Sequence, residues 1–125
     1  MRCIVRSADR TLYEGDAEQI VARSPYGEFA VMSGHAPILA VLVPGVVRLQ
    51  SAGTERTIVC NGGTFSLADN HASVLVERPY MLEEIDPVAI REQLTELRAE
   101  ESPEGIDPEE IAYLELLCRV KESHG

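Results

Sequence analysis

Tryptophan is absent from the 125 residues and phenylalanine occurs only twice, so a core here must be built mainly from Val, Ile, Leu and Ala. Long hydrophobic runs are missing too. The longest, residues 36–47, is broken by Pro37, Pro44 and Gly45. A membrane-spanning helix needs about 20 apolar residues, so none is expected. Nor does a signal or transit peptide stand at the start, where strand-like sequence begins at Met1 with Arg2 and Arg6 inside it. These absences point to a cytosolic protein, or to one held at a membrane by a partner.

Positive charge is scarce: 11 Lys and Arg stand against 21 Asp and Glu, a net of −10. The imbalance is local, with −1 over residues 1–80 and −9 over residues 81–125. Nucleic acid and anionic membrane surfaces need a basic face, which excludes them as expected partners. The acidic end reads as solvated helical faces. Cys3, Cys60 and Cys118 are odd in number, far apart and without C-x-x-C spacing. Buried free thiols are expected of them, and no metal site.

What is present divides into two patterns. Over the first eighty residues short β-rich runs recur: Cys3 to Val5, Gln19 to Ala22, Phe29 to Met32, Ile38 to Val43, Val46 to Leu49, Thr57 to Cys60, Thr64 to Leu67 and Ser73 to Val76. Turn residues punctuate them, among them Ser24-Pro25-Tyr26-Gly27, Pro44-Gly45, Ala52-Gly53, Asn61-Gly62-Gly63 and Asp69-Asn70. Strands at such regular short spacing, with no helix between them, predict an antiparallel β-sandwich or barrel.

After Pro79 the pattern changes. Ile85-Asp86-Pro87 and Ile106-Asp107-Pro108 repeat one helix-start signal, with Asp as N-cap and Pro at the first helical position. Ile85 with Ile90, and Ile106 with Ile111, would staple those starts. The first helix then carries Ile90, Leu94 and Leu97 on one face, the second Ile111, Leu114, Leu117 and Cys118. Ser102-Pro103-Glu104-Gly105 breaks the chain between them, which predicts an antiparallel helical pair. Neither helix is long enough to be stable alone in water, so its stability is conditional on packing. The fold class is therefore α+β: an N-terminal antiparallel β-sandwich over 1–80 and a C-terminal helical hairpin over 81–125.

Chemistry-bearing constellations are thin. His35, His71 and His124 are scattered, Ser33 beside His35 lies in no G-x-S-x-G elbow, and Gly62-Gly63 has no Lys or Ser/Thr partner of a phosphate loop. Glu83, Glu84 and Asp86 precede a helix, where its dipole favours negative charge in any case. A small barrel enzyme would need a pocket with convergent polar groups. The sequence predicts no enzyme and no cofactor.

One stretch is specific. Gly27-Glu28-Phe29-Ala30-Val31-Met32-Ser33-Gly34-His35-Ala36-Pro37-Ile38-Leu39 is followed by Leu42-Val43-Pro44-Gly45-Val46-Val47-Arg48. It resembles the signature of the epsilon subunit family of F-type ATP synthases: a Gly, a short apolar strand, a small-Gly-His-Ala-Pro turn, an apolar strand, then Pro-Gly. Gly62-Gly63, the strand Ser73 to Val76 and the helical pair follow in the family's order, so the resemblance spans nearly the whole chain.

The resemblance implies a non-catalytic subunit of the central stalk, at the cytoplasmic face of a bacterial membrane. It would couple the proton-driven c-ring to the gamma subunit and restrain ATP hydrolysis through its helices, which would meet the alpha and beta subunits. Glu28 and His35 match the family's ring-contact loop and are expected close together at one end of the sandwich. Nucleotide-binding members carry Ile-Asp-x-x-Arg-Ala at the first helix. Here Asp86 keeps its place, but Ala89-Ile90 replace Arg-Ala, and Arg91 comes two places late. Asp86 and Arg91 are thus the candidate nucleotide contacts, with weak or no ATP binding expected. The alternative to the family reading is a free-standing β-sandwich interaction module.

Overall fold

A computed structural model describes residues 1–99 and 107–124 of the chain. It divides into two compact units, Met1–Met81 and Leu82–Gly125.

The first unit consists of β1 (Arg2–Arg6), β2 (Thr11–Asp16), β3 (Gln19–Ser24), β4 (Gly27–Met32), β5 (Ile38–Ser51), β6 (Thr54–Ala68), β7 (His71–Val76) and β8 (Tyr80–Met81). The hydrogen-bonded order is β2-β1-β7-β6-β5-β3-β4, with β8 on β6. All pairs are antiparallel except β1 with β7. The long strands β5 and β6 serve both layers. Their Ile38–Leu42 and Gly63–Leu67 halves continue into β7, β1 and β2. Their other halves continue into β3 and β4 on one side and β8 on the other.

The sequence reading places turns at Pro44-Gly45 and at Asn61-Gly62-Gly63, and the structure corrects both. β5 and β6 run through them in constant register, with Leu42 opposite Gly63 and Pro44 opposite Asn61. The glycines make a corner rather than a reversal. Gly62 and Gly63 have φ of 99° and 148°. A Cβ on Gly63 would lie 1.9 Å from the Leu75 carbonyl oxygen, so only glycine lets β6 pass so close to β7 while changing layers.

Alternation fills the space between the layers. Val5, Ile20, Val31, Leu49, Phe65 and Val74 are among the fully buried side chains, each flanked along its strand by more exposed neighbours, while Ile58 lies within the buried run Thr57 to Cys60. With no Trp available, the aromatic contribution is one edge-to-face contact, Phe29 on Phe65, at 5.3 Å between ring centroids and 84° between planes.

In the second unit a single 3-10 turn, Leu82–Glu84, precedes α1 (Pro87–Ala99) and α2 (Pro108–His124). Asp86 caps α1 as expected, its Oδ1 accepting from the amides of Val88 at 3.1 Å and Ala89 at 3.4 Å. Asp107 caps α2 through the Glu109 amide at 2.9 Å. Ile85 and Ile90 are both buried, as the staple requires. The link Ser102 to Gly105 and the Ile106 half of the second staple lie outside the described residues.

Two ion pairs fix the direction of the helices: Arg91 meets Glu122, and Arg98 meets Glu115. Seven residues forward on α1 are seven residues back on α2, so the pair is antiparallel. Ile90 and Leu94 are buried on α1, and Tyr113, Leu114, Leu117, Cys118 and Val120 on α2. Lys121 Nζ donates to the Leu82 carbonyl at 3.1 Å, tying the end of α2 to the 3-10 turn.

Candidate functional site

The signature stretch becomes a strand, a tight turn and a strand. The amide of His35 donates to the Met32 carbonyl at 3.1 Å, closing a β-turn over Ser33 and Gly34. Gly34 occupies its third position with φ of 85°, a left-handed value that favours glycine. Pro37 then leads into β5.

Asn70, which the sequence reading treats only as a turn residue, holds this turn in place. Its Oδ1 accepts from the Gly34 amide at 3.0 Å and from Ser33 Oγ at 3.3 Å, while its Nδ2 lies 3.3 Å from the same hydroxyl. Asn70 and Asp69 both adopt positive φ, 62° and 50°, which Asn and Asp tolerate better than most residues. The bond spans 36 residues of sequence, so no local pattern announces it.

His35 makes only a local contact. Its ring Nδ1 lies 2.6 Å from the Ala36 carbonyl, which can only accept, so Nδ1 carries the proton. That bond reaches only the next residue. The ring therefore leaves the anchoring to Asn70, and His35 stays exposed.

Glu28 lies elsewhere. It pairs with Arg23 beside the hairpin turn at Ser24–Gly27, whereas Met32, at the other end of β4, pairs with Gln19 and leads to His35. The expectation that Glu28 and His35 meet at one rim is thus overturned: an extended strand of six residues separates their loops. Glu28 instead approaches Arg48 at 3.5 Å, and Arg48 also approaches Glu55 at 3.7 Å, in an exposed charge row across β4, β5 and β6.

The two nucleotide candidates are both engaged locally. The Asp86 carboxylate is taken up by the helix cap, and the Arg91 guanidinium by Glu122. At five residues' separation they point about 140° apart around the helix axis. The thiols face inward: burial pushes Cys3 up to about 11 and raises Cys60 as well, and all three cysteines are free. A shallow depression of about 760 Å³ lies between the turn at Ser7–Arg10 and the segment Leu75–Tyr80. There Ser7 Oγ donates to Asp9 at 2.7 Å and Arg10 donates to the Pro79 carbonyl at 3.4 Å.

What stands out instead is uncharged surface. Leu39 is 81% exposed, Val41 62% and Met32 59%, all in or next to the signature stretch. Architecture and surface together define a β-sandwich with a helical pair, a protein that offers faces and strand edges.

Comparison with known proteins gives the class its family. Residues 1–80 match the family model described as ATP synthase, Delta/Epsilon chain, beta-sandwich domain. The ATP synthase epsilon chain of Streptomyces avermitilis is 37% identical over 95 residues, covering 75% of this chain and 77% of its own. That of Dichelobacter nodosus is 37% identical over 103 residues, covering 79% and 71%. A chain in the Euglena gracilis mitochondrial ATP synthase structure, OSCP/F1/c-ring in rotational state 1, aligns over 96% of this chain with a TM-score of 0.69 and 24% identity. One in the Tetrahymena thermophila central stalk/c-ring structure aligns over 97% with a TM-score of 0.64 and 16% identity. At those identities the structural likeness carries the fold alone. The sequence matches carry more: the chain belongs to the ATP synthase epsilon chain family.

Proposed function

We propose that this chain works as a non-catalytic subunit of the central stalk of an F-type ATP synthase, at the cytoplasmic face of a bacterial membrane. The sandwich would join the c-ring to the gamma subunit, and the helical pair would reach the alpha and beta subunits to restrain ATP hydrolysis. The observation that carries the reading is the Gly27–Pro37 signature, set at the exposed end of a sandwich by Asn70 in a chain of this family. His35 is the ring-side candidate on that end. Glu28, on the other, is a candidate for a separate contact of the same stalk. No nucleotide is required: Asp86 and Arg91 are committed to the helix cap and to Glu122, which supports weak or absent ATP binding.

The test is depletion and reconstitution in native membranes. Adding the chain back should restore proton-coupled ATP synthesis and should co-purify alpha, beta and gamma subunits. Isolated, it should hydrolyse no ATP and give no micromolar ATP affinity by calorimetry. Recovery of coupling without the chain, or capture of none of those subunits, would overturn the reading.

A further inference from the structure

We propose that the outer edge of β5 between Ile38 and Val43 is a strand-addition site, filled in the assembled complex by an extended, uncharged segment of another subunit. The proposal rests on the stalk reading above and adds the mode of contact.

The backbone of this strip is open on one side. β5 pairs with β6 along its length, but on its other side β3 reaches only Arg48, Leu49 and Gln50. Among the described residues, no strand pairs with the outer side of residues 38–43. Outward amides and carbonyls there form an open ladder, which another strand can complete.

The strip also lacks guards. Exposed edges in soluble proteins usually carry charges that discourage pairing. The outer strand β2 carries Glu14 and Asp16, and the open start of β6 carries Glu55 and Arg56. Residues 36–47 carry no charge at all, and Leu39 and Val41 stand largely in solvent. A charged side chain laid against them would lose water and gain no counter-charge, which selects an uncharged occupant.

The open stretch is also short. Pro37 and Pro44 bracket the open ladder, and neither has an amide to donate. Six residues span about 20 Å, so the added strand is short. Such a strip is too small to hold a second copy of this chain, since a stable interface buries about 1,200–2,000 Å². A subunit already held in the complex by other contacts needs no such area from the strip. On the adjoining face Ser66 stands opposite Leu39, and Thr64 lies between Val41 and Leu75, all without charge.

Hydrogen exchange on the full chain, free and within the complex isolated from native membranes, tests this. The fast amides of residues 38–43 should slow by about a hundredfold or more in the complex, while those of 11–16 on β2 change little. Val41→Lys should weaken incorporation into depleted complex by at least about tenfold, with the free chain's melting temperature showing that it still folds. Ser66→Lys, on the adjoining face away from the edge, should weaken it less. Incorporation of the wild-type chain without protection at 38–43 would overturn this proposal and leave the stalk reading standing. A free chain that sediments as a dimer protected at 38–43 would overturn it too, because the occupant would then be a second copy. Failure of the wild-type chain to enter the complex at all would overturn the stalk reading first.

Discussion

The sandwich unit and the helical unit are held together by different physics. The first, with a net charge of −1, encloses a core to which six of its eight strands contribute buried side chains, and strand ladders satisfy most of its backbone. Among its described residues the second, with −9, relies on one apolar stripe per helix, two Asp caps and two exposed Arg–Glu pairs. In the function proposed above, a coupling element must transmit force without deforming, and a regulatory element must be able to let go. Measurements that unfold one unit without the other can break or sharpen the contrast.

The largest effect is expected from paired core truncations. Phe65→Ala removes a fully buried ring that meets Phe29 and should cost about 3–5 kcal/mol of global stability in urea unfolding. Leu117→Ala, equally buried but in α2, should cost about 2–5 kcal/mol within the helical unit. Its far-UV helical signal should melt early while the sandwich transition keeps its midpoint. If both substitutions shift one common transition, the two units unfold as one and the contrast fails.

Alkali should separate the units next. Cys3 is buried in the sandwich core and its thiol is pushed up to about 11, against 9 in the unfolded chain, with Cys60 displaced in the same direction. Burial penalises the thiolate, so above pH 9 the unfolded chain releases protons that the folded one retains. Stability from this source is complete below pH 9 and is lost as pH rises towards 11. Two pH units correspond to about 2–3 kcal/mol for Cys3 alone. Urea midpoints under reducing conditions at pH 8 and 10.5 check this, and Cys3→Ala should flatten the difference. An equal slope in that variant would mean that other groups govern the alkaline limit.

How far the sequence reveals this arrangement follows from the range of each interaction. Features carried by neighbouring residues are legible: most strand runs, both Asp caps, the Ser33-Gly34 turn and the apolar faces of the helices. β2 escapes because Thr11–Asp16 has no fully buried residue and so no clear alternation. The corners in β5 and β6 use the same Pro-Gly and Gly-Gly residues as turns do, and only the register across strands tells them apart. Asn70 with Gly34, and Arg91 with Glu122, join residues more than thirty positions apart, where a single sequence holds no signal. Glu28 and His35 show the opposite error. They are near in sequence, but an extended strand carries them to different ends.

The smallest effect, and the one that tests the electrostatic half of the contrast, is the response to salt. The pairs Arg91–Glu122 and Arg98–Glu115 are solvent-exposed, and such pairs contribute about 0–1 kcal/mol each, which salt reduces. Against them stands the excess of acids. Two like charges 10 Å apart in water repel by about 0.4 kcal/mol, and a unit carrying −9 holds several such pairs. Glu92 and Glu96, one turn apart on α1, are exposed examples. Repulsion summed over these acids outweighs two weak attractions, so screening should favour the folded helical pair. Raising salt from about 0.05 to about 0.5 M shrinks the screening length from roughly 14 to roughly 4 Å and should leave the helical melting temperature unchanged or raise it by about 1–2 °C. The sandwich, near neutral, should not respond. Arg91→Ala deletes an attraction and adds one net negative charge, so its gain from salt should exceed that of the parent chain. A helical transition that falls as salt rises, and falls less in Arg91→Ala, would mean that the two ion pairs and not the apolar stripe hold the helices together.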